Sequence, residues 1–122
     1  INMLKPVSRA TLIDFYNSSD ILFLQLNDIQ AFKNVLPSKI FEYGSFDKPI
    51  LAGVSGVAKK FLEENLPHSY IFEPNDSTNA IKKITEIISN NKIKVSNDRF
   101  VKRFNREKIM GKMVANIYIS LK

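Results

Sequence analysis

The sequence predicts a three-layer α/β fold with a parallel sheet, and three observations carry that reading. Short apolar runs alternate with helix-patterned stretches along the 122 residues, which is the order of βαβ units. The run Ile21-Leu22-Phe23-Leu24-Gln25-Leu26 is nearly all apolar, as a parallel strand covered on both faces should be. The stretch PSKIFEYGSFDKPILAG, residues 37–53, reads as a turn, a short helix and a second buried strand.

The elements follow in order. Residues 2–5 read as the tail of a strand. Ser8 is a good N-cap for a helix over 9–17, with Leu12, Ile13, Phe15 and Tyr16 on its apolar side. Ser18-Ser19-Asp20 breaks that helix before the strand at 21–26. A loop over 27–36 leads to Pro37, which suits a first helical turn because its missing N–H would have no partner there. Gly44 and Ser45 end the short helix, and Pro49 precedes a strand at 49–53. A helix over 56–65, a strand at 70–72 and a helix capped by Ser77 or Thr78 and running to about residue 88 come next. A polar linker begins at Ser89-Asn90-Asn91, and one long helix covers about 97–121. The result is a Rossmann-like domain with three or four strands, where a doubly wound domain has five or six. One sheet edge is then bare, which invites a partner domain or a second copy of the chain.

Composition narrows the chemistry. No cysteine is present and His68 is the one histidine, which removes thiolate and histidine-cluster chemistry. No apolar run approaches the roughly 18 residues of a membrane span. The start, INMLKPV, has neither the basic opening nor the cleavage site of a signal peptide. It also does not begin with methionine, as expected of a processed or cut chain or an expression artefact. Residues 1–81 hold 7 Lys+Arg against 9 Asp+Glu, whereas residues 82–122 hold 11 against 3. The net +6 therefore belongs to the last third of the chain, where a bland use is a solvated helix face.

In the 37–53 stretch, Ser38 brings a hydroxyl and Lys39 a cation to a helix start, where backbone N–H groups and the helix dipole favour anions. Glu42, one turn inside, is placed for a ribose hydroxyl. Each residue also has a plain structural use. Glu42 can favour a helix N-terminus, Lys39 can be solvated, and Ser38 can cap locally. Gly53 and Gly56 flank a strand end, where ligands dock in open α/β sheets, and can equally serve tight turns. His68 reads as a surface residue, Asp28 and Asp76 as loop and turn residues, and Phe15, Tyr16 and Phe23 as core aromatics.

Pro37-Ser38-Lys39-Ile40-Phe41-Glu42-Tyr43, followed by Pro49-Ile50, resembles a segment of retaining, family 4-like glycosyltransferases of the two-Rossmann-domain (GT-B) type. The likeness is greatest to bacterial capsule, O-antigen and lipopolysaccharide transferases, and Val7, Tyr16, Asp20, Gln25-Leu26 and Gly56 fit the same pattern. The resemblance covers residues 2–121, the second half of the C-terminal domain of such an enzyme, and about a third of the whole. It implies a nucleotide-sugar-binding half-domain over 1–92 and a basic amphipathic helix of the same domain over 93–122.

The resemblance also implies roles. Glu42 matches the glutamate that binds the ribose of the nucleotide sugar. Asn34 stands where the commonest form has a first glutamate near the donor sugar, and an amide cannot stabilise positive charge developing on a sugar ring. The backbone N–H and hydroxyl of Ser38 would face the diphosphate, and Pro6 and Val7 would lie near the nucleobase. No catalytic group and no metal are expected in this chain. The donor is a nucleotide sugar, with a UDP-sugar favoured, and the acceptor domain lies outside these residues. The expected place is cytoplasmic, with the basic helix drawn to an anionic membrane surface at the inner face of the plasma membrane. Two other readings stay open at this level: a non-enzymatic basic module on nucleic acid, which lacks a recognition motif here, and part of a nucleotide-sugar epimerase of the same fold.

Overall fold

The computed structural model describes residues 1–90, 92 and 94–120; Asn91 in the expected linker and Leu121 in the expected last helix lie outside that set. The elements run α1 (Arg9–Ser18), β1 (Leu22–Gln25), a 3-10 helix (Gln30–Asn34), α2 (Lys39–Tyr43), β2 (Ile50–Gly53), α3 (Gly56–Asn65), β3 (Ser69–Phe72), α4 (Ser77–Ser89), α5 (Asp98–Arg103) and α6 (Arg106–Ser120). The three strands are parallel in the order β1-β2-β3, with Leu22 opposite Ile50 and Ile50 opposite Ser69. This is the expected α/β architecture, a parallel sheet flanked by helices.

Helix ends follow local chemistry. The Ser8 hydroxyl accepts from the Thr11 N–H at 3.2 Å and opens α1. Helix α4 opens on Asp76, whose carboxylate accepts from the Asn79 N–H at 2.9 Å. The cap is therefore Asp76 and not Ser77 or Thr78; a carboxylate one residue earlier takes the free N–H and suits the positive end of the helix dipole.

The two faces of the sheet are covered unequally. On one face Tyr16, Leu22, Ile40, Tyr43, Ile50, Ala52, Val54, Ala58, Leu62, Leu66 and Phe100 form a continuous buried core. On the other, Leu51, Phe72 and Ile87 form a smaller one, where α4 packs over β2 and β3. All four residues of β2 are buried. Strand β1 is not covered on both faces as its composition predicts: Leu22 is buried, but Phe23 is 53% exposed. Phe23 is thus not a core aromatic; it stacks on Phe72 at a centroid distance of 6.5 Å along an open groove. Phe15 is likewise exposed, while Tyr16 is buried.

Both ends of the chain depart from expectation. No strand forms over residues 2–5: this segment has no regular structure and is exposed, and the described sheet holds only β1, β2 and β3. The expected long helix over 97–121 breaks after Arg103 into α5 and α6. Asn105 causes the break, its side-chain oxygen accepting from the N–H groups of Glu107 at 2.9 Å and Lys108 at 3.2 Å. An asparagine that can cap a new helix competes with continuing the old one. Phe100, buried beside Phe41, Phe61 and Phe104, fixes α5 to the core. Asn97 anchors its start, donating to the Phe46 carbonyl at 2.6 Å and through its N–H to Asp47 at 2.8 Å. Helix α6 has no buried residue, so Met110, Met113, Val114 and Ile117 stay exposed.

Candidate functional site

The 3-10 helix and α2 lie between β1 and β2, and two glycines let them approach α3 and α5. Gly56 has φ +62°, and a Cβ there would stand 2.2 Å from the Lys33 carbonyl oxygen. Only glycine takes that backbone conformation without strain. A Cβ at Gly44, just past α2, would meet the Phe100 ring at 2.2 Å. Both positions therefore serve close packing, which holds the 3-10 helix and the end of α2 against the domain.

Glu42 projects from α2 with its side chain 23% exposed. One carboxylate oxygen, Oε2, accepts from Lys39 Nζ at 2.9 Å, and the other, Oε1, lies 3.7 Å from Arg9 Nη1. Lys39 Nζ donates also to the Tyr16 hydroxyl at 3.0 Å. The same ammonium lies 5.8 Å from the ring centroid of Tyr43, within cation–π range. The bond to Tyr16, then the bond to Glu42, hold Lys39 protonated well above the usual lysine range, against partial burial. Burial and the neighbouring Tyr16 push the Tyr43 phenol up, and its hydroxyl donates to the Phe23 carbonyl at 3.0 Å.

Ser38 and Glu42 share one wall of a cleft of about 720 Å³ that also carries Arg9, Asn105 and Arg106, over a floor of Phe41, Phe46, Phe100 and Phe104. Two guanidiniums, a carboxylate and a hydroxyl above an aromatic floor suit a ligand with phosphate charge, hydroxyl donors and flat apolar parts. Among the other sequence-predicted residues, Lys39 touches Glu42 but does not line this cleft. Asn34 ends the 3-10 helix on the exposed surface, and Pro6 and Val7 lie in the exposed segment before α1. These three do not line the cleft either. Ser38 makes no side-chain cap bond.

Sequence reasoning missed Arg9 and Arg106. Arg9 sits two residues after Val7, a usable signal; nothing local separates Arg106 from the other basic residues of the last third. Tyr16 was visible in the family pattern, but reads as a core aromatic, and only its hydroxyl contact reveals its tie to Lys39. Among the described residues, no group of three or more His, Cys, Asp or Glu side chains could hold a metal ion. No described helix is long and apolar enough to cross a membrane.

The family model described as "Glycosyl transferases group 1" matches residues 1–107, which takes in α1 to α5 and the whole cleft wall around Glu42. No curated protein and no solved structure matches the chain.

Proposed function

The chain belongs to the glycosyl transferases group 1 family, and on that premise we propose that it binds the nucleotide-sugar donor of a GT-B glycosyltransferase. Glu42 takes the ribose hydroxyls, and Ser38 faces the diphosphate. Pro6 and Val7 lie toward the nucleobase, and Asn34 toward the donor sugar. A UDP-sugar is the favoured donor. The half-domain over 1–92 supplies Glu42, Ser38 and Arg9, and the basic helical region over 93–122, part of the same domain, adds Arg106.

One observation carries the reading: Glu42 stands on the wall of a cleft that also presents Arg9 and Arg106. A carboxylate accepts hydroxyl hydrogen bonds, and guanidinium groups stabilise phosphate charge, the charge that grows when a diphosphate leaves. Transfer itself needs an acceptor domain with its own groups, so this polypeptide alone turns nothing over. The PSKIFEY segment favours a transferase of bacterial surface polysaccharide, with a lipid-borne acceptor near an anionic membrane.

The test is calorimetric titration of the chain with UDP, GDP, ADP and a short oligonucleotide. Saturable binding to one nucleoside diphosphate is expected, weakened about tenfold or more in Glu42→Ala, the worth of a hydrogen bond to a charged group. Binding to the oligonucleotide in preference to all three diphosphates, or full affinity in Glu42→Ala, overturns the proposal.

A further inference from the structure

We infer that Tyr16 and Lys39 are positioning residues: they hold the Glu42 carboxylate at the cleft wall, and recognition of the ribose depends on the Tyr16 hydroxyl although that hydroxyl does not reach the ligand. The inference rests on the reading of Glu42 as the ribose-binding residue.

The geometry is a relay of three side chains. Glu42 lines the cleft, whereas neither Lys39 nor Tyr16 does. Lys39 thus holds the carboxylate at Oε2, 2.9 Å away, without itself lining the cleft. Oε1 has a loose contact with Arg9 Nη1 at 3.7 Å, and Arg9 itself lines the cleft. The Arg9 side chain is 78% exposed, and an exposed ion pair of this kind holds little. Lysine is a flexible point charge, so fixing Glu42 requires that Lys39 itself be fixed. Tyr16 does this through its hydroxyl at 3.0 Å.

Tyr16 is a rigid anchor. It is 7% exposed and packs edge-on against Tyr43 at 5.5 Å and Phe46 at 5.1 Å. It belongs to the last part of α1, and Lys39 and Glu42 belong to α2. The relay thus sets the carboxylate relative to the core, and not merely relative to its own five-residue helix. A hydroxyl-binding carboxylate gains discrimination from being held in place before the ligand arrives.

A direct role for Lys39 on phosphate makes a different prediction, and the experiment separates the two. Uridine, guanosine and adenosine diphosphates and their 2′,3′-dideoxy counterparts are titrated into wild type, Tyr16→Phe, Lys39→Met, Glu42→Ala and the Tyr16→Phe/Glu42→Ala double variant. The readout is the ratio of ribo to dideoxy affinity for the preferred base. The ratio is expected to fall about fivefold in Tyr16→Phe, the worth of one hydrogen bond, with dideoxy affinity and Tm nearly unchanged. Lys39→Met, which keeps a long side chain, is expected to lower the ratio at least as far. In the Glu42→Ala background Tyr16→Phe should change nothing further, a result that general loosening of the core would not give.

An unchanged ratio in both Tyr16→Phe and Lys39→Met, with a fall in Glu42→Ala, overturns the relay and leaves the donor-binding reading standing. Equal weakening of ribo and dideoxy ligands by Lys39→Met makes Lys39 a phosphate ligand and also overturns it. A wild type that binds no diphosphate, or binds both sugars alike, removes the donor-binding reading and the relay with it.

Discussion

Gly56→Ala should damage this protein far more than Gly111→Ala, although both exchange a helix glycine for the best helix former. At Gly56 the backbone has φ +62°, and the added Cβ would lie 2.2 Å from the Lys33 carbonyl oxygen. The left-handed conformation costs an L residue about 1–2 kcal/mol. Ordinary contact begins near 3.4 Å, so the Lys33 backbone must also move by about 1 Å, and such overpacking costs about 1–3 kcal/mol. The sum is a loss of about 2–5 kcal/mol, a large share of a small domain's stability. Gly111 lies in exposed α6 with nothing within 4 Å of a built Cβ. There alanine gains about 1 kcal/mol of helix propensity. Because α6 buries no residue, that gain stays local. It should deepen the helical circular dichroism signal and leave the urea midpoint almost unmoved. Urea unfolding followed by circular dichroism measures both variants. Lys33 lies in the 3-10 helix that leads into α2, so Gly56→Ala should also weaken nucleoside diphosphate binding at temperatures where it stays folded. If Gly56→Ala unfolds within about 0.5 kcal/mol of wild type, the range of an ordinary surface change, the close-approach reasoning is wrong.

Three further outcomes are expected. Phe100→Ala empties the aromatic cluster that pins α5 and should cost about 3–5 kcal/mol in urea unfolding; a loss below about 1 kcal/mol would mean that α5 is not part of the cooperative core. Lys39 and Tyr43 both have pKa values raised by folding above their ordinary 10.5 and 10.0, so the folded state keeps these protons longer than the unfolded state. Their contribution to stability is then complete below about pH 10 and declines as the pH rises further; unfolding series between about pH 8 and pH 11 should show that slope in wild type and a flatter one in Lys39→Met/Tyr43→Phe. Truncation after Asn105 removes α6, and the urea unfolding free energy of the remainder should stay within about 0.5 kcal/mol of the full chain, a larger drop showing that α6 packs on the core in solution.

Much of the architecture was legible because its signals are local. The helix over 56–65 was readable to the residue, and β2 and β3 to within one, because apolar runs, glycines and prolines punctuate the chain there. Ser8 was recognisable as a cap for the same reason. The two misread helix starts were also local in origin: Asp76 and Asn105 each offer a side-chain oxygen to free N–H groups. Their competition with neighbouring Ser77 and with the continuing helix is a matter of small energies that pattern alone does not rank.

The sequence by itself determined the α/β order, the parallel sheet and the segment from Pro37 to Tyr43 that carries the family likeness. Tertiary structure alone decided that Tyr16 reaches Lys39 across 23 positions and that Arg9 and Arg106 open onto the cleft beside Glu42. It alone decided that Phe23 lies open, because α4 packs over β2 and β3 and leaves its side of β1 uncovered. The physical reason is range. Propensity, capping and periodicity act over a few residues, whereas a contact between distant side chains depends on how the intervening strands and helices stack, and no short window of sequence contains that packing.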